Sequence, residues 1–128
     1  LALAGPAAEA AGPEQIGSTA FIGQVLQGVE AKALRGLVDE AKARMGSGIA
    51  AIVAVNEGRA AVAIGVTDDL TATVSAVDLV RAAAAALGGQ GGGGRADMAQ
   101  AGGPDGGKAA DAIAAVKAAV TQALGVPA

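Results

Sequence analysis

Two apolar runs of strand length, with a short turn-forming segment between them, constrain the fold of this chain more than any other feature. The runs cover residues 49–55 and 60–66. Asn56 and Gly58 lie between them, and Asn and Gly are the residue types that most readily adopt the positive φ angles of a tight reversal. The segment therefore predicts a β-hairpin, and the remaining elements must pack against the sheet that contains it.

The residues before the hairpin predict a strand followed by a helix. Residues 18–26 place β-branched and aromatic side chains near a two-residue period, which is typical of a half-buried strand. From Val29 onwards, apolar residues recur at spacings of three and four until Gly46, Ser47 and Gly48 end the pattern. This stretch predicts an amphipathic helix.

The residues after the hairpin predict two further helices. Residues 67–73 are expected to form a connection, after which Ser75 can cap a helix whose apolar residues face the sheet. Residues 98–101 favour a short edge strand, and residues 108–124 place apolar side chains on one face of a final helix.

Together these elements predict a fold of the α/β (α+β) class. It consists of a small mixed β-sheet with helices packed on it, in the order β-α-β-β-α-(β)-α. Residues 18–128 are expected to form a single domain, and residues 1–17 a linker at its edge. No apolar run reaches the length needed to cross a membrane, so no membrane partner is expected.

The absence of two residue types restricts the chemistry open to this chain. Its 128 residues include no Cys and no His, which removes thiolate nucleophiles, imidazole bases and the usual zinc ligands. We therefore expect no catalytic residue, metal site or cofactor here, and we do not expect the isolated fragment to be an enzyme. The formal net charge is −3, and the one stretch with a basic excess is 30–45, on the first predicted helix.

A dense glycine segment follows the second predicted helix, with six glycines in the seven positions 88–94. Glycine loses the most entropy on folding, but it lets backbone amides converge on an anion. A flexible linker is the alternative interpretation. Residues 95–103 then mix charged, amide and apolar side chains, which favours a shaped surface loop over a spacer. The segment lacks the pattern of a P-loop or a Rossmann motif, so ATP or NAD binding is not expected.

Residues 91–103, with the sequence GGGGRADMAQAGG, resemble the C-terminal domain of bacterial alanyl-tRNA synthetases. The likeness extends to residues 28–35, to the hairpin and to the closing helix with Lys117, and so covers roughly residues 18–124. Two features depart from the family: Ala96 stands where Pro is usual, and the glycine run is one residue longer, with Gln90 where Lys is common. Together these departures imply a looser and less charged loop.

The resemblance implies a domain that contacts the elbow of tRNA(Ala) and supports aminoacylation and editing by upstream domains. The parent chain would be a cytoplasmic, ATP-dependent alanine–tRNA ligase, with ATP, magnesium and zinc bound upstream of this fragment. DNA is not an expected partner.

Eight residues are the candidates for RNA contact: Arg95, Gly91, Gly92, Gly93, Gly94, Gln100, Lys32 and Arg35. An Arg guanidinium can grip phosphate or stack on a base, and Lys32 and Arg35 share one helical face. The alternatives are a salt bridge between Arg95 and Asp97, and a solvated helix face paired with Glu30 or Asp39. Gln100 could instead hold the loop closed.

Two other functions are compatible with the sequence. The fragment could be a self-association module that forms a homodimer through an Ala-rich helix or a free strand edge. It could also be a substrate-binding accessory domain of a DHH-type phosphoesterase, a related glycine-rich domain. In that branch a histidine typically follows the glycines, and Arg95 stands in its place here.

Overall fold

A mixed β-sheet with helices on both faces forms the framework of the protein. The computed structural model describes residues 14–16, 19–89 and 93–124. In these ranges the strands are β1 (Glu14–Ile16), β2 (Thr19–Gln27), β3 (Gly48–Asn56), β4 (Arg59–Val66), β5 (Gly93–Arg95) and β6 (Met98–Gly103). The helices are α1 (Ala31–Met45), α2 (Ala76–Ala86) and α3 (Ala109–Leu124), with short 3-10 turns at Asp68–Leu70 and Gly106–Lys108.

The sheet order is β1-β2-β3-β4-β6-β5. Strands β2 and β3 are parallel, and every other neighbouring pair is antiparallel. A parallel pair cannot be joined by a tight turn, so the chain returns through α1, which serves as the crossover between β2 and β3. The fold class predicted from the sequence is confirmed, with three helices on one mixed sheet.

The predicted hairpin is formed by β3 and β4. Asn56 pairs with Arg59, and the two residues between them, Glu57 and Gly58, have φ angles of 54° and 79°. Positive φ at both central positions is the signature of the two-residue turn that matches the twist of paired strands. The turn residues therefore set the register that the apolar runs require.

The core has two layers because β3 is buried on both of its faces. Ile49, Ala51 and Val53 face the layer formed with α2 and α3. The residues that alternate with them, including Ile52, face the layer formed with Leu34 and the rest of α1. Burial on both faces explains why this strand is a continuous apolar run rather than an alternating one.

The helices cover the two faces of the sheet unequally. Helices α2 and α3 share one face, whereas α1 packs over β3 and β4 on the other.

The Ser75 hydroxyl accepts a hydrogen bond from the Val77 amide at 3.3 Å and so caps α2, as predicted. No helix in the described ranges has the length and apolar character needed to cross a membrane.

The sequence does not predict the strands at the two edges of the sheet. Strand β1 falls within residues 1–17, which the sequence assigns to a linker, and three residues are too few to show a periodicity. Strand β5 is two-thirds glycine, a residue with low strand propensity. The strand predicted at 98–101 as a sheet edge is β6, which lies inside β5. The predicted element order therefore lacks β1 and β5.

Candidate nucleic-acid interface

The end of the glycine segment forms a β-hairpin rather than an open loop. Gly93 pairs with Gln100 and Arg95 pairs with Met98, so β5 and β6 are joined by the short turn Ala96–Asp97. Residues 90–92, which include the candidates Gly91 and Gly92, lie outside the described residues. Within the described part, the candidate Arg95 is held at the end of a hydrogen-bonded strand.

Three glycines around this hairpin have structural reasons to be glycine. Gly88 and Gly94 have φ angles of 76° and 149°, which other residues rarely adopt. A Cβ added at Gly94 would also lie 2.6 Å from the Cα of Ala99. One added at Gly89 would lie 3.0 Å from the Cα of Gly103, because the chain leaving α2 crosses closely over β6. Gly93 has no such neighbour: a Cβ there would meet no atom within 4 Å.

The strand register places Arg95 and Gln100 on the same face of the sheet as α1. Residues directly opposite each other in antiparallel strands share a face. Arg95 pairs with Met98, and Met98 packs against the layer formed with α1. Gln100 pairs with Ala63, which is buried in that layer. The hairpin therefore presents both candidate side chains toward α1.

Two adjoining cavities separate α1 from the hairpin, and together we name them the α1–β6 cleft. The first has a volume of about 220 Å³ and is lined by Arg35, Asp39, Lys42, Gly93, Gly94, Arg95, Asp97, Met98, Ala99 and Gln100. The second has a volume of about 260 Å³ and is lined by Lys32, Ala61, Val62, Gln100 and Ala101. Gln100 lines both. The structure thus brings together every candidate residue that it describes.

The α1–β6 cleft is basic although the chain is acidic. Its lining includes the basic residues Lys32, Arg35, Lys42 and Arg95 and the acidic residues Asp39 and Asp97, an excess of two positive charges. The whole chain has a net charge of −3. A concentration of positive charge on one face of an acidic domain raises the local concentration of anions at that face.

The ion pairs considered as alternatives are only partly formed. Among the described residues, no carboxylate pairs with the Arg95 guanidinium, so the alternative salt bridge to Asp97 is absent. Lys32 pairs with Glu30 at 3.4 Å, but 86% and 66% of these side chains are exposed. An ion pair so open to water contributes little stability and does not prevent Lys32 from binding another anion.

The candidates named from sequence omit Lys42, and they include Asp39 only as an ion-pair partner, although both residues line the cleft. Both lie on the helical face that carries Lys32 and Arg35, at spacings of four and seven residues from Arg35. Their spacing on that face, one and two turns beyond Arg35, is the sequence signal that marks them. The Nζ atom of Lys42 donates a hydrogen bond to the main-chain carbonyl of Asp97 at 3.2 Å.

A second polar cluster ties the loop after α1 to the loop after β4. The carboxylate of Asp69 accepts hydrogen bonds from the hydroxyls of Ser47 and Thr67, and the Thr67 hydroxyl accepts one from the Gly48 amide at 3.0 Å. The Ser47 hydrogen bond, and then that of Thr67, lowers the pKa of Asp69 from its ordinary value. The pair Asp68–Asp69 thus lies in the connection that the sequence predicts at residues 67–73. In the described ranges no group of three or more carboxylates is arranged to hold a metal ion.

Comparison with known proteins identifies relatives of both the sequence and the fold. The family described as the DHHA1 domain matches residues 18–122. Alanine–tRNA ligase of Rhizorhabdus wittichii is 65% identical over 123 residues, which cover 95% of this chain and 14% of that protein. The corresponding protein of Sphingopyxis alaskensis is 62% identical over 125 residues, again 14% of its length. The chain therefore spans about a seventh of the curated relatives it matches.

Two solved structures share the fold. The C-Ala domain from Aquifex aeolicus alanyl-tRNA synthetase superposes with a TM-score of 0.79 at 30% identity, covering 85% of this chain and 97% of that chain. RecJ from Thermus thermophilus, solved in complex with Mn²⁺, superposes with a TM-score of 0.57 at 18% identity, covering 84% of this chain and 14% of that one. At that identity RecJ shares the fold alone. The family match and the C-Ala likeness establish that this chain belongs to the DHHA1 domain family, among the C-terminal domains of alanyl-tRNA synthetases.

Proposed function

We propose that this domain binds tRNA(Ala) at its elbow through the α1–β6 cleft, and so supports aminoacylation and editing by upstream domains of an alanine–tRNA ligase. The observation that carries the proposal is the convergence of Arg95 and Gln100 with Lys32 and Arg35 on one face. The pair on α1 and the pair on the hairpin lie far apart in the sequence. The strand register places the hairpin pair on the face of the sheet that α1 covers, and both pairs line the cleft.

The cleft supplies chemistry suited to an RNA backbone. The exposed guanidinium groups of Arg35 and Arg95 can each donate two parallel hydrogen bonds to a phosphate. Gln100, whose amide both donates and accepts, can contact a ribose hydroxyl or a base edge. At Gly93 the absence of a side chain lets RNA approach the strand backbone. Phe21 is 1% exposed, so the only aromatic side chain is not available for base stacking.

The adenylation and editing reactions belong, in this proposal, to domains upstream of this chain. ATP, magnesium and zinc would be bound there, and the protein would act in the cytoplasm. The domain described here would contribute binding energy and orientation. That division agrees with the cleft, where the polar groups are cations, amides and two carboxylates rather than a nucleophile paired with a base.

Titration of this domain with a tRNA(Ala) transcript tests the proposal. We expect Arg95→Ala and Arg35→Ala each to weaken binding by roughly tenfold, because each substitution removes a charge-assisted hydrogen bond. Arg81→Ala is the matched control: Arg81 is exposed on α2, which packs on the opposite face of the sheet. Equal binding by all four proteins would remove the cleft from the interface, and no binding by the wild-type domain would overturn the proposed function.

The salt dependence of the same titration gives a second test. Removing one phosphate interaction reduces the magnitude of the slope of log K against log salt by roughly 0.7 to 0.9. The three cleft residues proposed to contact phosphate, Lys32, Arg35 and Arg95, predict a slope of about −2.4 for the wild-type domain, and Arg95→Ala should bring it to about −1.6. A slope near zero would mean that the cleft does not bind phosphate.

A further inference from the structure

Lys42 connects the two walls of the α1–β6 cleft. Its Nζ atom donates to the Asp97 carbonyl at 3.2 Å, across 55 positions of sequence. Asp97 belongs to the turn between β5 and β6, and Arg95 is the last residue of β5. The bond therefore joins α1, which carries Arg35, directly to the hairpin that carries Arg95.

The path of the Lys42 side chain is fixed by its neighbours. A Cβ added at Gly65 would lie 2.6 Å from the Cδ of Lys42 and would also collide with Val38. The glycine in β4 therefore leaves a channel through which the Lys42 stem reaches the turn. A half-buried stem lying against a strand loses the rotamer freedom that an exposed lysine keeps.

The turn is held from three elements, and Lys42 supplies the contact from α1. The Asp97 carbonyl also accepts a hydrogen bond from the amide of Val66, at the end of β4, at 2.9 Å. The neighbouring carbonyl, that of Ala96, accepts one from the amide of Ala76, at the start of α2, at 2.8 Å. Together the three hydrogen bonds restrain the hairpin against the rest of the domain.

We propose that Lys42 is a positioning residue, which fixes the hairpin against α1 so that Arg95 and Arg35 meet one ligand at a set separation. Its effect on tRNA binding rests on the proposed function, whereas its effect on the hairpin does not. The rival role is a direct ionic contact, since an ammonium group has three donors and the carbonyl uses one.

Salt titrations with two matched lysine variants separate these roles. Lys42→Met keeps the apolar stem and removes the ammonium group, and Lys32→Met makes the same change at an exposed position on the same helix. We expect Lys42→Met to weaken tRNA binding on the order of tenfold while changing the salt slope by less than about 0.4. A direct phosphate contact would instead reduce the magnitude of the slope by roughly 0.7 to 0.9, and that result would overturn the proposal.

Amide hydrogen exchange tests the positioning role without RNA. The amides of Val66 and Ala76 donate to the turn, so both should exchange faster in Lys42→Met and remain unchanged in Lys32→Met. The Gly28 amide, bound to the Val55 carbonyl at 2.8 Å outside the cleft, is the internal reference. Unchanged exchange at Val66 and Ala76 would overturn the proposal even if tRNA binding were abolished.

The exchange measurement also distinguishes failure of this inference from failure of the proposed function. If the wild-type domain binds no tRNA but Lys42→Met speeds exchange at the turn, the positioning contact stands and the proposed function falls. If Lys42→Met does not fold, Lys42→Leu replaces it, because Leu also removes the ammonium donor and keeps an apolar side chain. Faster exchange at Val66 and Ala76 in Lys42→Leu would support positioning, and wild-type exchange would contradict it.

Discussion

Gly93 and Gly94 are adjacent in β5 but have different reasons to be glycine. Gly94 has a φ of 149°, and a Cβ there would press on Ala99, whereas Gly93 has open space around it. Glycine is therefore a requirement of the fold at Gly94. At Gly93 the fold would accept a side chain, so the demand for glycine, if there is one, must come from a ligand.

These two positions give a prediction at the scale of single residues. Gly94→Ala should lower the free energy of unfolding by about 1–3 kcal/mol, through strain and overpacking. Gly93→Ala should not lower it, since the added Cβ has open space, but should weaken tRNA binding, because the added methyl group keeps RNA from the strand backbone. Chemical denaturation and tRNA titration of both variants check this. Full tRNA affinity in Gly93→Ala would show that RNA does not approach the backbone there.

Helix α1 contains one glycine, Gly36, at a position where the packing leaves room for a side chain. Gly36 is exposed in the middle of the helix, and a Cβ there would meet no atom within 4 Å. Replacing an exposed mid-helix glycine with alanine gains about 1 kcal/mol, because the unfolded chain loses freedom. Gly36→Ala should therefore raise the melting temperature by a few degrees. A lower melting temperature would mean that α1 uses the glycine in a way that its packing does not reveal.

The polar cluster of Ser47, Thr67 and Asp69, which joins the loop after α1 to the loop after β4, makes the free energy of unfolding depend on pH. Hydrogen bonds from Ser47 and then Thr67 lower the pKa of Asp69 below its ordinary value of 3.8. A carboxylate whose pKa is lower in the folded state stabilises the fold above its unfolded pKa. This contribution is lost as the pH falls through the folded-state pKa.

Asp69→Asn should therefore destabilise the domain at neutral pH, and the difference from wild type should shrink as the solution is acidified below pH 3.8. Denaturation at a series of pH values measures it. Asp68→Asn is the control, because in the described hydrogen bonds only the main chain of Asp68 takes part. If the difference in the free energy of unfolding between Asp69→Asn and wild type stays constant with pH, the charge on Asp69 does not contribute to stability.

At the scale of the whole molecule, the described residues give the sheet a three-residue strand at each edge, β1 and β5. Short edges offer few free backbone groups to a second sheet. We therefore expect light scattering to give the mass of one chain across a wide range of concentration. A mass that rises toward two chains would support the self-association alternative instead.

An element of this fold could be predicted from sequence where its side chains show an apolar period or mark a turn. The β3–β4 hairpin and the three helices were predictable because apolar periodicity and turn residues marked them. Strand β5 was not, since Gly93 and Gly94 have no side chains to alternate and their pairing is decided by backbone hydrogen bonds. The candidate site residues could be named from sequence, apart from Asp39 and Lys42. Their meeting on one face could not be predicted, because it depends on the register between β4, β5 and β6.

Helix α1 covers β3 and β4 but leaves β5 and β6 uncovered on its side of the sheet, and this unequal coverage has an entropic consequence. The floor of the α1–β6 cleft is hydrogen-bonded strand, and one wall is a helix. A ligand that binds to this strand and helix meets backbone that is already hydrogen-bonded, so these elements give up little conformational entropy. A few contacts can then yield useful affinity, and the removal of any one of them should appear mainly as faster dissociation.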